Sequence, residues 1–123
     1  GIYPVGGATI RFVREAGWGD AMRWLLTGDE FDASEAHRCG FIQEIAPQGQ
    51  ALERALVLAE RICEQAPLGV SACIRSSRLF AQEGEPTANA RLLPDLIPIM
   101  SSDDVQEGLM SFLERRKADF KGR

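Results

Sequence analysis

Ser101-Ser102-Asp103-Asp104-Val105-Gln106-Glu107-Gly108-Leu109-Met110-Ser111-Phe112-Leu113-Glu114-Arg115-Arg116-Lys117-Ala118-Asp119-Phe120 is the stretch whose reading decides the fold. Two serines offer a helix N-cap, and Ser101 with Asp104 has the spacing of a capping box. Acids fill the expected first turn and bases the expected last one, which suits the helix dipole at both ends. Val105, Leu109, Phe112 and Leu113 fall on one helical face. The segment reads as an amphipathic helix with a stripe to bury and a basic end able to meet an anion. The plainer alternative is a terminal helix docked on a core, its charged end merely solvated.

Working outward, the preceding segment carries Pro94 and Pro98. Each proline removes a donor and crowds the turn before it, which predicts a helical piece over 88–93 and a break before Met100. Further upstream, Pro67 reads as an early residue of a helix over 67–83, with Val70, Cys73, Ile74, Ser77 and Ala81 on one face and Gly84 after it. The cleanest helical repeat is Leu52, Ala55, Leu56, Ala59, Ile62 and Cys63, with charges opposite. Residues 41–46 are the only credible strand. Asp32-Ala33-Ser34-Glu35 is a capping-box pattern opening a short helix that Gly40 stops. Residues 20–27 hold Ala21, Met22, Trp24, Leu25 and Leu26 and are apolar nearly all round, so that helix should be buried or line a pocket. A helix over 7–16 precedes it, with Ile10, Val13 and Ala16 on one side and Gly17 as its C′ residue. The expected fold class is therefore mainly α, with at most one or two short strands.

The opening Gly1-Ile2-Tyr3-Pro4-Val5-Gly6-Gly7-Ala8-Thr9 is rich in turn formers. Gly1 and Gly6 have phosphate-loop spacing, but Gly7-Ala8 stand where Lys and Ser/Thr would follow, so that motif fails. A tight turn into a helix remains, or glycines that let the backbone pass a ligand beside a positive helix end.

With 123 residues, 45% hydrophobic and 26% charged, the chain has the composition of one soluble globular domain. A domain of that length buries about two-thirds of its unfolded surface. The net charge of −4 gives no general attraction to nucleic acid. No apolar run approaches the roughly 20 residues of a membrane-spanning helix. Cys39, Cys63 and Cys73 are odd in number and lie in helical patterns, so core packing in a reducing compartment, the cytoplasm, is expected. His37 is the only histidine, which makes a metal site improbable.

Taken in order, these motifs resemble the crotonase superfamily, the enoyl-CoA hydratases and isomerases. Gly1 to Arg11 is similar to the family's G-x-x-P-x-x-G-x-T-x-R segment. Leu25-Leu26-Thr27-Gly28-Asp29, Phe31-Asp32-Ala33, Glu35-Ala36 and Gly40-Phe41-Ile42 resemble its next conserved run. Ala59, Ile62 and Ala66-Pro67 resemble the helices after that. Ser102-Asp103-Asp104, Glu107-Gly108, Phe112, Glu114-Arg115-Arg116 and Phe120 resemble its closing motif. The resemblance covers nearly the whole chain, residues 1–123, but only the C-terminal half of a crotonase-like (ClpP/crotonase) fold.

The resemblance implies a lyase acting on acyl-CoA thioesters in fatty acid metabolism, hydrating a 2-enoyl-CoA through a stabilised enolate. Coenzyme A is then part of the substrate, and no separate cofactor or metal is expected. It implies no catalytic residue among these 123, because the family's oxyanion donors and glutamates belong to the N-terminal ββα core; the isolated chain should be inactive. Pro4, Val5, Gly6 and Gly7 match the loop at the active-site floor. Valine at position 5, where some isomerases and dehalogenases of the family carry aspartate, favours hydration. Trp24 and Leu25, with Leu26, match a helix that faces the acyl pocket, with plain core as the alternative. Phe112 and Arg115 match positions from which the family's C-terminal helix contacts the adenine and phosphates of CoA, often in a neighbouring subunit. The family usually has lysine at the latter; arginine keeps the charge and adds bidentate geometry. Homo-oligomers, trimers or hexamers, are the family's habit. Two other readings remain: a non-catalytic CoA-binding or oligomerisation module, and an unrelated helical scaffold.

Overall fold

Glycine or proline stands at most of the helix ends. In the computed structural model, which describes residues 1–123, α1 spans Ala8–Thr27, α2 Ala33–Arg38, α3 Ala51–Cys63, α4 Pro67–Glu83, α5 Glu85–Met100 and α6 Asp103–Glu114. Gly17 sits at φ 75°, ψ 170° inside α1, so the element is two helical arms meeting at the glycine, as its sequence position predicts. Asp32 caps α2, its Oδ1 accepting from the Glu35 N–H at 2.9 Å. Pro67 stands in the first turn of α4, where its missing donor is harmless.

Three expectations are corrected. Residues 41–46 form no strand, since nothing in the chain offers a neighbouring ladder and a lone strand leaves its backbone groups unpaired. α5 does not break at its prolines: Pro94 and Pro98 lie inside one helix. They stand four residues apart on one face, so only the two bonds to the carbonyls of Ala90 and Pro94 are lost, and the bonds on the other faces carry the helix through. The cap of α6 is Ser102, not Ser101. Ser102 has the extended backbone an N-cap needs (φ −77°, ψ 154°) and accepts from the Val105 N–H at 3.3 Å. Ser101 instead finishes α5, its hydroxyl donating to the Pro98 carbonyl at 3.0 Å.

The chain forms two compact units, Gly1–Arg54 and Ala55–Arg123. The first is centred on aromatics: Phe12 meets Phe41 at 4.4 Å between ring centroids, Phe31 meets Phe41 at 5.6 Å, and Trp24 meets Phe31 at 4.9 Å. Ala21, on the second arm of α1, and Cys39, just after α2, are buried in the same unit. In the second unit α4 and α5 pack as a helical hairpin through Gly84, and the segment after α6 folds back along that helix.

The core is smaller than the length predicts. The accessible surface is 9776 Å², against about 6,500 Å² for a closed domain of 13.5 kDa and roughly 19,600 Å² for its unfolded chain. About half of the unfolded surface is buried, rather than two-thirds. Leu26, Leu52, Leu56, Ile62, Leu109 and Leu113 are exposed, and each forgoes about 1.5–3 kcal/mol that full burial would supply. Of the three cysteines only Cys39 is buried; Cys63 and Cys73 lie at the surface, because the faces of α3 and α4 that carry them are uncovered.

Candidate functional site

The loop before α1 is shaped by one glycine and one arginine. Gly7 has φ 92°, ψ 11°, and its carbonyl accepts from the N–H groups of Ile10 and Arg11 at 3.2 and 2.9 Å. A side chain at position 7 would be strained by that φ and would also meet the Arg11 guanidinium, 3.0 Å from where its Cβ would lie. The same guanidinium donates to the Gly6 carbonyl. Gly7 gives α1 no side-chain cap, and the first turn holds no acid. The opening N–H groups of the helix, with their partial positive charge, are left next to an exposed Pro4-Val5-Gly6 surface.

In the same unit Trp24 is only 8% exposed, with the Arg23 guanidinium 4.5 Å over its ring. Leu25 is half-buried. The indole N–H of Trp24 is buried with no hydrogen-bond partner of normal geometry, yet it lies close enough to Cys39 to favour its thiolate. Burial outweighs that effect and pushes the Cys39 thiol up. Arg38 ties this region together, bonding Glu35 at 2.7 and 2.8 Å and Asp20 at 2.8 Å. Those bonds hold the Glu35 carboxyl down at about 2, and that of Asp20 below its ordinary value.

The end of α6 departs from its sequence reading. The helix stops at Glu114, so Arg115, Arg116 and Lys117 follow it instead of filling its last turn. Arg115 has φ 55°, ψ 39°, the only residue other than glycine at positive φ. Its N–H donates to the Phe112 carbonyl at 3.3 Å and the Arg116 N–H to the Ser111 carbonyl at 3.0 Å. That pair of bonds is a Schellman motif with arginine where glycine is usual. Arg116 turns back to Glu107 through two bonds of 2.5 and 2.8 Å and reaches Glu114 at 2.5 Å. The Glu107 carboxyl falls to about 2, chiefly through Arg116 and next through the Asp119 N–H that it accepts at 2.8 Å. Asp104, 3% exposed, accepts from the N–H groups of Lys121 and Gly122 at 2.6 and 2.8 Å. Phe120 lies on Gly108, 3.5 Å from the position of an added Cβ. A strap of chain thus covers the polar side of α6, and Phe112 is left 80% exposed on the other.

The structure groups Pro4, Val5, Gly6, Gly7, Trp24 and Leu25 in the first unit, and Phe112 with Arg115 in the second. Within the second unit, open grooves of about 430 and 320 Å³ run along α4 and α5. Neither contains a residue of the candidate substrate site; Cys73 and Ser77 line the larger, and Arg75, Arg91, Pro94 and Pro98 the smaller. Sequence reasoning gave no role to Arg11 or Glu107, and gave Asp104 only that of a capping-box partner to Ser101, whereas it holds the chain at Lys121 and Gly122. Arg11 stands four residues after Gly7, one helical turn, and that spacing was the available signal. Glu107 and Arg116 are nine apart across a chain reversal, and no local pattern exposes such a pair.

The chain is similar to known proteins over its whole length. A family model described as enoyl-CoA hydratase/isomerase matches residues 1–123. An enoyl-CoA hydratase of Mycobacterium tuberculosis is 40% identical over 99% of this chain and 46% of its own length. A 2,3-dehydroadipyl-CoA hydratase of Escherichia coli is 32% identical over 100% and 48%. Among solved structures, a Mycobacterium abscessus protein described as a probable enoyl-CoA hydratase/isomerase superposes with TM-score 0.92 at 52% identity, covering 99% of this chain and 48% of that one. The chain spans about half the length of the curated relatives it matches.

Proposed function

The chain belongs to the enoyl-CoA hydratase/isomerase family, and from that premise we propose that it is the helical C-terminal part of an enzyme that hydrates the 2,3-double bond of an enoyl-CoA thioester. The match of the family over the whole chain carries this reading. In it, Pro4, Val5, Gly6 and Gly7 form the floor beside the acyl group, and Val5 supplies an apolar surface with no acid for isomerase-type proton transfer. Leu25 contributes acyl contact and Trp24 packs behind it. Phe112 offers an exposed ring for the adenine, and Arg115 a cation for a phosphate of CoA. The thioester oxygen and the transferred protons are handled by groups outside these residues, so coenzyme A enters as substrate and no other cofactor is required. Three free cysteines support a reducing compartment, the cytoplasm.

Crotonyl-CoA hydration by the purified chain tests the division of labour. We expect no significant turnover, and a rate comparable to an intact hydratase would refute it. CoA binding tests the handle: Arg115→Ala should weaken it, and an unchanged affinity removes Arg115 from the site.

The uncovered faces of α3 and α6 favour a second reading, a self-associating module. Sedimentation at several concentrations checks this, and a monomer throughout counts against it.

A further inference from the structure

Two adjacent arginines follow α6, and the structure treats them differently. Arg116 is consumed by Glu107 and Glu114, Lys117 pairs with Glu64 at 2.6 Å, and Lys121 with Asp119 at 2.7 Å. Arg123 lies 3.4 Å from Asp103. Arg115 alone of these cations has no acid partner, and its side chain is exposed. Its backbone is also the one left-handed conformation in the chain without a glycine. Such a conformation persists only where the surroundings over-determine it. The surroundings here are the residues that follow. Glu107 holds the Arg116 fork with both carboxylate oxygens and takes the Asp119 N–H as well, and Asp104 fixes the chain two and three residues beyond. The Schellman bonds engage the carbonyls of Ser111 and Phe112, so the helix end beside Arg115 presents fewer bare acceptors to repel an anion.

We infer that Glu107 is a positioning residue for CoA binding: by consuming Arg116 and pinning the chain after the turn, it determines that Arg115 is the cation presented to the nucleotide phosphates. This rests on the reading that Arg115 meets a CoA phosphate. A Glu107 carboxylate that only stabilised the fold would support every ligand contact equally. A positioning role affects the phosphate contact alone.

The experiment is calorimetric titration of the chain with CoA and with pantetheine, which lacks the nucleotide and its phosphates. Arg115→Ala should lower CoA affinity about tenfold, as expected for loss of a charged hydrogen bond, and leave pantetheine unchanged. Glu107→Gln should lower CoA affinity severalfold, again without effect on pantetheine. The double variant should bind CoA no more weakly than Arg115→Ala, because the second change acts through the first residue. Arg116→Lys, which keeps a charge but not the fork, should give an intermediate loss if Glu107→Gln proves unfolded by circular dichroism. Unchanged CoA affinity in Glu107→Gln and Arg116→Lys, equal losses for both ligands, or additive losses in the double variant would overturn the inference. A parent chain that does not prefer CoA, or an Arg115→Ala variant that binds it normally, would instead overturn the underlying reading.

Discussion

Replacing Arg115 by glycine should stabilise the chain and, on the function proposed above, weaken its binding of CoA. A non-glycine residue in the left-handed helical region costs about 1–2 kcal/mol, and Arg115 sits there at φ 55°, ψ 39°. Glycine removes that cost but adds freedom to the unfolded chain worth about 0.4–1 kcal/mol. The side chain itself forms no ion pair, so its loss subtracts little. The net expectation is a gain of roughly 0.5–1 kcal/mol, or an unfolding midpoint higher by roughly 2–5 °C for a chain of this size. Far-ultraviolet circular dichroism on heating, repeated in urea, measures it. Arg115→Ala is the control, because alanine keeps the strain and should stay within about 0.5 kcal/mol of the parent. A glycine variant no more stable than the alanine variant would refute the reasoning: the turn would then not be strained, or the arginine would be held by favourable contacts of its own.

Other perturbations probe the remaining parts. Gly7→Ala meets both a φ of 92° and the Arg11 guanidinium, and should cost at least about 1–2 kcal/mol in thermal unfolding; Arg11→Ala in the same chain should recover the part due to crowding. Asp104→Ala strands the N–H groups of Lys121 and Gly122 at a site 3% exposed, which should cost about 2–4 kcal/mol and speed amide exchange over 119–123. Acid should loosen both units. The Glu35 and Glu107 carboxyls ionise near 2 when folded against 4.5 as free groups, so their stabilisation is complete above pH 4.5 and is lost as the pH falls toward 2. Urea midpoints that stay flat across that window would contradict this.

Local punctuation was legible in the sequence, and long-range closure was not. Gly17, Asp32, Pro67 and Gly84 were placed correctly because a positive φ, a side-chain cap and a missing donor are properties of single residues. Pro94 and Pro98 misled for the same reason: each is a breaker alone, and only their four-residue spacing, which puts both lost bonds on one face, lets α5 continue. The strand at 41–46 failed because strand propensity needs a partner that no local pattern supplies. At the candidate site the loop glycines and the basic character of the α6 end were readable, whereas the clamp from Glu107 to Arg116 was not, since a chain reversal at a non-glycine residue has no sequence signature.

The stripe of α6 carries the point furthest. Its periodicity is real: Leu109, Phe112 and Leu113 do share a face, but that face is open, and the covered side is Asp104, Gly108 and Ser111 under the strap. Carboxylate-to-backbone bonds contribute nothing to a hydropathy pattern, so the pattern did not show that the strap covers the polar side of α6. On the function proposed above, an open apolar face beside an unpaired arginine suits a flat aromatic ligand that bears phosphates; on the second reading it suits another apolar surface. Phe112 separates the two readings, because it belongs to both. If its ring stacks on the nucleotide, Phe112→Ala should weaken CoA binding and spare pantetheine, losing about 1–3 kcal/mol of stacking. If it packs against another copy of the chain, the variant should shift sedimentation toward the monomer and leave CoA affinity unchanged. A variant that alters neither measurement would show that the face is simply solvated, and would leave Arg115 as the only residue of α6's end with a claim on the ligand.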